Sequence, residues 1–162
     1  MSDKALRVSY GEYTYESVPE WAPLPKGWEW NHVVGVAVDN EDRIFAYNRS
    51  EHPIIVLDKS GKILDSWGEG QFTRAHHIEI GPDGSIWTTD VGDHTVRKWT
   101  IDGKQLMILG TPNEPSVEQS GEPFNQPTDI AFGLDGSIYI SDGYGNSRIH
   151  HYSPQGKLIR SW

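Results

Sequence analysis

The 162-residue chain has no cysteine, so it can build neither a disulfide framework nor a thiolate metal site. It has no apolar run approaching the length of a membrane span. Its first residues, Met-Ser-Asp-Lys-Ala-Leu-Arg, lack the apolar stretch of a secretory leader. These absences predict a cytoplasmic protein with no membrane partner. Cations are scarce: 14 Lys and Arg stand against 23 Asp and Glu, a net charge of −9. Phosphate-backbone binding needs clustered Lys and Arg, so no nucleic-acid partner is expected, and the charge reads as an acidic solvated surface. Helical patterning is missing too, since no segment keeps a helical apolar period over about 11 residues.

What is present is a repeated phrase. The third copy is the clearest, running from Pro127-Thr-Asp-Ile-Ala-Phe through Asp135-Gly-Ser-Ile-Tyr and Asp142 to Pro154-Gln-Gly-Lys157. The second runs from His76 through Asp83-Gly-Ser-Ile-Trp87 and Asp90 to Asp102-Gly-Lys104. A looser first copy runs from Val34 through Asp42-Arg-Ile-Phe45 and Asn48 to Ser60-Gly-Lys62. Val36 aligns with Ile78 without a gap, whereas the step from Ile78 to Ile130 is longer because a Pro/Gly/Ser/Glu loop, Thr111 to Phe124, is inserted. Fixed-period self-similarity is the mark of repeat folds.

Each copy holds four short runs rich in β-branched and aromatic residues, separated by turn residues such as Asp-Gly, whose tolerance of positive φ suits tight hairpins. Four-stranded antiparallel units of about 40–45 residues are propeller blades. The sequence therefore predicts an all-β propeller with blades near 34–66, 77–108 and 129–161, within a region spanning 32–162. A hydrophobic content of 36%, with 7 Trp and 7 Tyr, is enough for a packed core. Residues 1–31, where Tyr10, Tyr13, Tyr15, Trp21, Trp28 and Trp30 alternate with prolines, read as an extended arm laid against the blades.

In an antiparallel meander, the start of the innermost strand and the end of the second strand lie on one face. That rim collects Arg49 from blade one, His76-His77 from blade two and Tyr144 from blade three. Asp90 and Asp142 occupy equivalent positions and read as turn-bonding residues. His32, His52, His94, His150 and His151 have no metal-ligand spacing and read as surface or packing residues.

The blades resemble NHL repeats. Ser141-Asp-Gly-Tyr-Gly-Asn-Ser-Arg-Ile149, with Gln126-Pro-Thr-Asp129 before it and Ser153-Pro-Gln-Gly-Lys157 after it, resembles peptidyl-α-hydroxyglycine α-amidating lyase and its bacterial NHL-repeat relatives. Gly35-Val-Ala-Val-Asp39, Phe45-Ala-Tyr-Asn-Arg49 and Arg74-Ala-His-His-Ile78 extend the match over roughly residues 30–162, about half of a six-bladed ring. The resemblance implies cleavage of the Cα–N bond of a C-terminal α-hydroxyglycine, giving a peptide amide and glyoxylate. It implies that His76 is one of three zinc-binding histidines, Arg49 the active-site arginine and Tyr144 the general base. It also implies that the backbone carbonyls of Val36 and Ile78 help hold a structural calcium. His77 stands where the resembled family carries glycine.

A small-molecule or peptide substrate is thus expected. Three legible blades are fewer than the four to eight that close a ring, so missing C-terminal blades or self-association are expected as well, and this chain alone is expected to be inactive. Two other functions compete. One is a non-catalytic propeller that binds a ligand or protein on its rim. The other is a sugar-lactone hydrolase of related fold, which needs acidic metal ligands that Arg49, His76 and Tyr144 do not supply. Fold alone does not choose among them.

Overall fold

The computed structural model describes residues 6–162, so the first five residues assigned to the arm lie outside the described residues. No helix occurs among the described residues. The fold is all-β and holds three four-stranded antiparallel sheets. Blade one is the meander β3 (Val33–Val38), β4 (Ile44–Asn48), β5 (Ile54–Leu57) and β6 (Ile63–Trp67). Blade two comprises β7 (Ala75–Ile80), β8 (Ile86–Asp90), β9 (Thr95–Trp99) and β10 (Gln105–Leu109). Blade three comprises β11 (Asp129–Phe132), β12 (Ile138–Asp142), β13 (Arg148–Tyr152) and β14 (Leu158–Ser161). A separate hairpin pairs β1 (Arg7–Tyr10) with β2 (Tyr13–Glu16).

The repeated turns explain the repeated meander. In blade two, Asp83 accepts hydrogen bonds from the Ser85 amide and hydroxyl, and Gly84 takes φ +77°. Blade three repeats this with Asp135, Ser137 and Gly136 at φ +80°. Blade one has no glycine there; Asp42 itself adopts φ +60° and Asp39 takes the amides of Glu41 and Arg43. A left-handed aspartate is tolerated because its short polar side chain can bond locally, which is why this copy diverges in sequence and keeps its turn.

Partial burial raises the Asp83 carboxyl, but the bonds from Lys98, 2.6 Å away, and from Ser85 outweigh it and hold the group at about 2. An acid depressed below its unfolded value of about 3.9 adds stability above that value, and this stability is lost as pH falls through the folded value. The side chain is 56% exposed, so screening keeps the effect below about 1 kcal/mol. Asp83→Asn should therefore lower the urea midpoint slightly at pH 7, and the gap to the wild type should close between pH 4 and pH 2.

The inner strands β3, β7 and β11 of successive blades lie against one another. Neighbouring side chains on each strand serve opposite interfaces, so β4, β5, β8 and β9 are buried almost throughout. Phe45, Tyr47, Ile54 and Val56 of blade one pack on Ile78, Ile86 and Trp99 of blade two. On the far side of blade two, Trp87, Val96 and Leu109 pack on Ile130, Ile138, Ile140 and Tyr152 of blade three. The end of the inserted loop joins this second core, since Phe124 is buried and meets His150 and Tyr152.

The N-terminal region differs from the single extended arm the sequence suggested. Residues 7–16 form an exposed hairpin that turns at Gly11 (φ +59°) and touches no other strand. Only the following segment packs on the blades: Ala22, Leu24 and Trp28 cover Ala46, Ile55 and Leu57, and Trp28 stacks on His52 with ring centroids 3.6 Å apart. The Trp21 carbonyl lies so close to Gly61 that a Cβ there would fall 1.8 Å from it, and Gly61 has φ +83°. Gly61→Ala should displace this segment and cost about 2 kcal/mol. An unchanged urea midpoint and unchanged tryptophan emission would refute that seating.

Candidate functional site

The rim is organised by one device used three times. Asn48, Asp90 and Asp142 end the second strand of their blades, and all three are buried. Each accepts backbone N–H groups from the segment that leads to its blade's inner strand. Asn48 Oδ1 takes the Asn31 amide at 2.9 Å. Asp90 takes those of Thr73 at 2.6 Å and Arg74 at 2.8 Å. Asp142 takes the Asn125 amide on both oxygens at 2.9 Å. Buried carboxylates and amides paired in this way satisfy loop donors that could not otherwise leave water cheaply, and they fix the loops that carry the candidate residues.

Arg49 follows Asn48 directly. Its backbone amide donates to the Asn31 carbonyl at 2.8 Å, and its Nε donates across the blade boundary to the Ala75 carbonyl at 2.9 Å. His76 is the next residue on β7. Its Nδ1 lies 2.8 Å from the carbonyl oxygen of Thr128, at the start of blade three. A carbonyl can only accept, so Nδ1 carries the proton and Nε2 presents its lone pair. That lone pair meets the Tyr144 hydroxyl at 3.1 Å, with the rings edge-on at 5.4 Å. Tyr144 is 65% exposed. Arg49, His76 and Tyr144 line one open cleft of about 280 Å³, together with Arg74, Val91 and Gln126. A larger cavity, about 970 Å³, lies between blade one and the Trp21–Trp30 segment. Its walls, including Leu24, Val36, Val38 and Leu57, are mainly apolar, so the smaller cleft is where chemistry can be placed.

Sequence reasoning did not single out Arg74 or Gln126, although both stand just before an inner strand, β7 and β11. Gln126 adopts φ +65° and donates its amide to His94 Nδ1 at 3.2 Å, which accounts for His94 as a positioning group. His77 lies beside the cleft residues but engages the carboxylate of Asp129, 3.0 Å away on β11. His150 is buried between Asp142 and Ser161, and His151 stacks on Tyr139.

Two metal groups are implied by resemblance, and the described residues match each only in part. Zinc sites in proteins use three or four side-chain ligands. His76 offers one imidazole, oriented by a carbonyl on its other nitrogen as metal-bound histidines are, and no group of three or more His, Cys, Asp or Glu suited to a metal exists among the described residues. Val36 and Ile78 lie on adjoining inner strands, which run so close that a Cβ at Gly35 would sit 3.1 Å from the Ile78 amide nitrogen. Two carbonyls are fewer than the six to eight oxygens calcium takes.

Residues 124–152 match the NHL repeat. The chain is 32% identical over 184 residues to peptidylglycine alpha-amidating monooxygenase of Rattus norvegicus, a match that takes in 88% of this chain and 19% of the rat protein. It is 32% identical over 157 residues to the probable peptidyl-alpha-hydroxyglycine alpha-amidating lyase of Caenorhabditis elegans, covering 81% of this chain and 44% of the nematode protein. It is 36% identical over 116 residues to peptidyl-alpha-hydroxyglycine alpha-amidating lyase 1 of Drosophila melanogaster, covering 69% and 21%. Among solved structures, streptogramin B lyase superposes with a TM-score of 0.60 at 20% identity, over 80% of this chain and 39% of that one. The structural likeness shows the propeller fold. The chain spans less than half the length of each of these relatives.

Proposed function

We propose that this NHL-repeat propeller chain, related in sequence to the peptidyl-α-hydroxyglycine α-amidating lyases, carries part of the active rim of such a lyase. The reaction would split the Cα–N bond of an α-hydroxyglycine. The hydroxyl loses its proton, its oxygen electrons form the new carbonyl, the C–N pair leaves with nitrogen, and nitrogen takes a proton. The products are an amide and glyoxylate. The observation that carries this reading is the meeting of Arg49, His76 and Tyr144, from three different blades, in one cleft.

Each side chain suits one part of that chemistry. The Nη groups of Arg49 are free of its bond to Ala75 and can pair with the substrate carboxylate. Tyr144 is exposed to an incoming hydroxyl and is the general base in this reading. In this structure its hydroxyl meets His76 Nε2 at 3.1 Å; as a base it would act as the phenolate, its own proton given up to solvent. Zinc would supply Lewis acidity to a bound hydroxyl, with His76 as one of its ligands. Nε2 has a single lone pair, so a metal there and the bond from Tyr144 exclude each other, and a metal would release the phenol toward substrate.

The remaining ligands would come from blades that complete the ring, in further polypeptide or a second copy. The apolar groove on blade one continues the blade-on-blade packing and would seat the neighbouring blade. The test is glyoxylate release from a peptidyl-α-hydroxyglycine by the ring-complete protein with zinc, with this chain alone as a comparison expected to be silent. Metal-loaded complete protein that releases no glyoxylate would transfer the assignment to a rim-binding module.

A further inference from the structure

We infer that the cleft is built for a dianion, with Arg74 as a second anion-binding group beside Arg49; this rests on reading the cleft as the substrate site. The chain carries a net charge of −9. Arg7, Arg43 and Arg97 pair with Glu16, Asp39 and Asp93. Arg49, Arg74, Arg148 and Arg160 have no carboxylate partner among the described residues, and of these Arg49 and Arg74 line the same cleft. Two unpaired guanidiniums on one small opening concentrate positive potential where the rest of the molecule repels anions.

Arg74 is placed with care. Its amide donates to Asp90 Oδ1 at 2.8 Å, and its carbonyl accepts the Val91 amide at 3.1 Å, so its backbone is clamped on both sides. Gly92 leaves the room its stem uses, since a Cβ at Gly92 would lie 2.8 Å from the Cβ of Arg74. A fixed backbone makes the reach of the guanidinium a property of the fold. With about 280 Å³ available, the cleft suits a short ligand whose two carboxylates are separated by a few carbons. One would pair with Arg49 next to the reacting carbon, the second with Arg74, each by forked charge-assisted hydrogen bonds. The substrate class is therefore an α-hydroxyglycine unit carrying a further carboxylate close to the scissile bond, such as an acidic residue immediately before it.

The test compares glutarate with butyrate, acids of similar reach that differ by one charge, followed by NMR of the His76 and Tyr144 rings in the ring-complete protein. Glutarate should bind about tenfold more tightly than butyrate at low salt, and salt should erode the difference. Arg74→Gln should bring glutarate to the affinity of butyrate and leave butyrate unchanged. Arg74 is exposed, so the fold is not at risk. Equal affinities in the wild type, a preference that survives Arg74→Gln, or no binding of either acid would overturn the inference. The glyoxylate assay is independent: activity without the dicarboxylate preference sinks only the dianion site, and the preference without activity sinks only the lyase.

Discussion

Tyr144→Phe is expected to lower glyoxylate release by about 10²–10⁴-fold in the ring-complete protein, the range a positioned general base contributes. The substitution removes one oxygen from a side chain that is 65% exposed and packs on His76 only by its edge, so stability should hold. KM should change little, because the guanidiniums proposed to bind the substrate carboxylate are untouched. Metal content should not fall, since the lost hydrogen bond competes with coordination at His76 Nε2. Full activity in the variant would remove Tyr144 from its role while leaving the lyase reading intact.

The largest effect on stability is expected from Asp142→Ala. The fully buried carboxylate accepts from the Asn125 amide, from Asn146 Nδ2 at 2.9 Å and from His150 Nε2 at 3.1 Å. Truncation leaves the Asn125 backbone N–H and His150 Nε2 without an acceptor, at a cost of about 3 kcal/mol or more in urea unfolding. It also unties the segment at Asn125 whose end, Thr128, holds His76. The fall in stability should therefore come with a shift in the His76 ring resonances. Asp135→Ala, at an exposed turn, should leave the midpoint near that of the wild type. Similar losses in the two variants would refute the anchoring role of Asp142.

The fold was legible because turn residues and short β-branched runs recur in each copy, with Asp-Gly in the second and third and Asp42 in the first, and because a repeat states its own alignment. Strand positions in a meander then put Arg49, His76 and Tyr144 on one rim without any tertiary information. Arg74 was missed for a physical reason: its significance lies in lacking a carboxylate neighbour, a relation between residues far apart in sequence. The hairpin at 7–16 was missed because three tyrosines suggested packing, whereas the Gly11 turn and the alternation on either side of it specify a two-stranded unit. His150 read as a packing residue, and it does pack; its bonds to Asp142 and Ser161 depend on strand register that no local pattern discloses.

Around the rim, each candidate side chain takes its aim from a neighbouring blade. Arg49, in blade one, is held by a blade-two carbonyl at Ala75, and His76, in blade two, by a blade-three carbonyl at Thr128. Tyr144, in blade three, reaches back to His76. Three side-chain contacts at the cleft thus cross blade boundaries, so the cleft acts as a gauge of the angle between blades. A core substitution at an interface, such as one at Ile78 or Ile130, would be felt at the cleft as misdirected donors even where the rim sequence is unaltered. The apolar wedge between two sheets thereby sets the bearing of an imidazole.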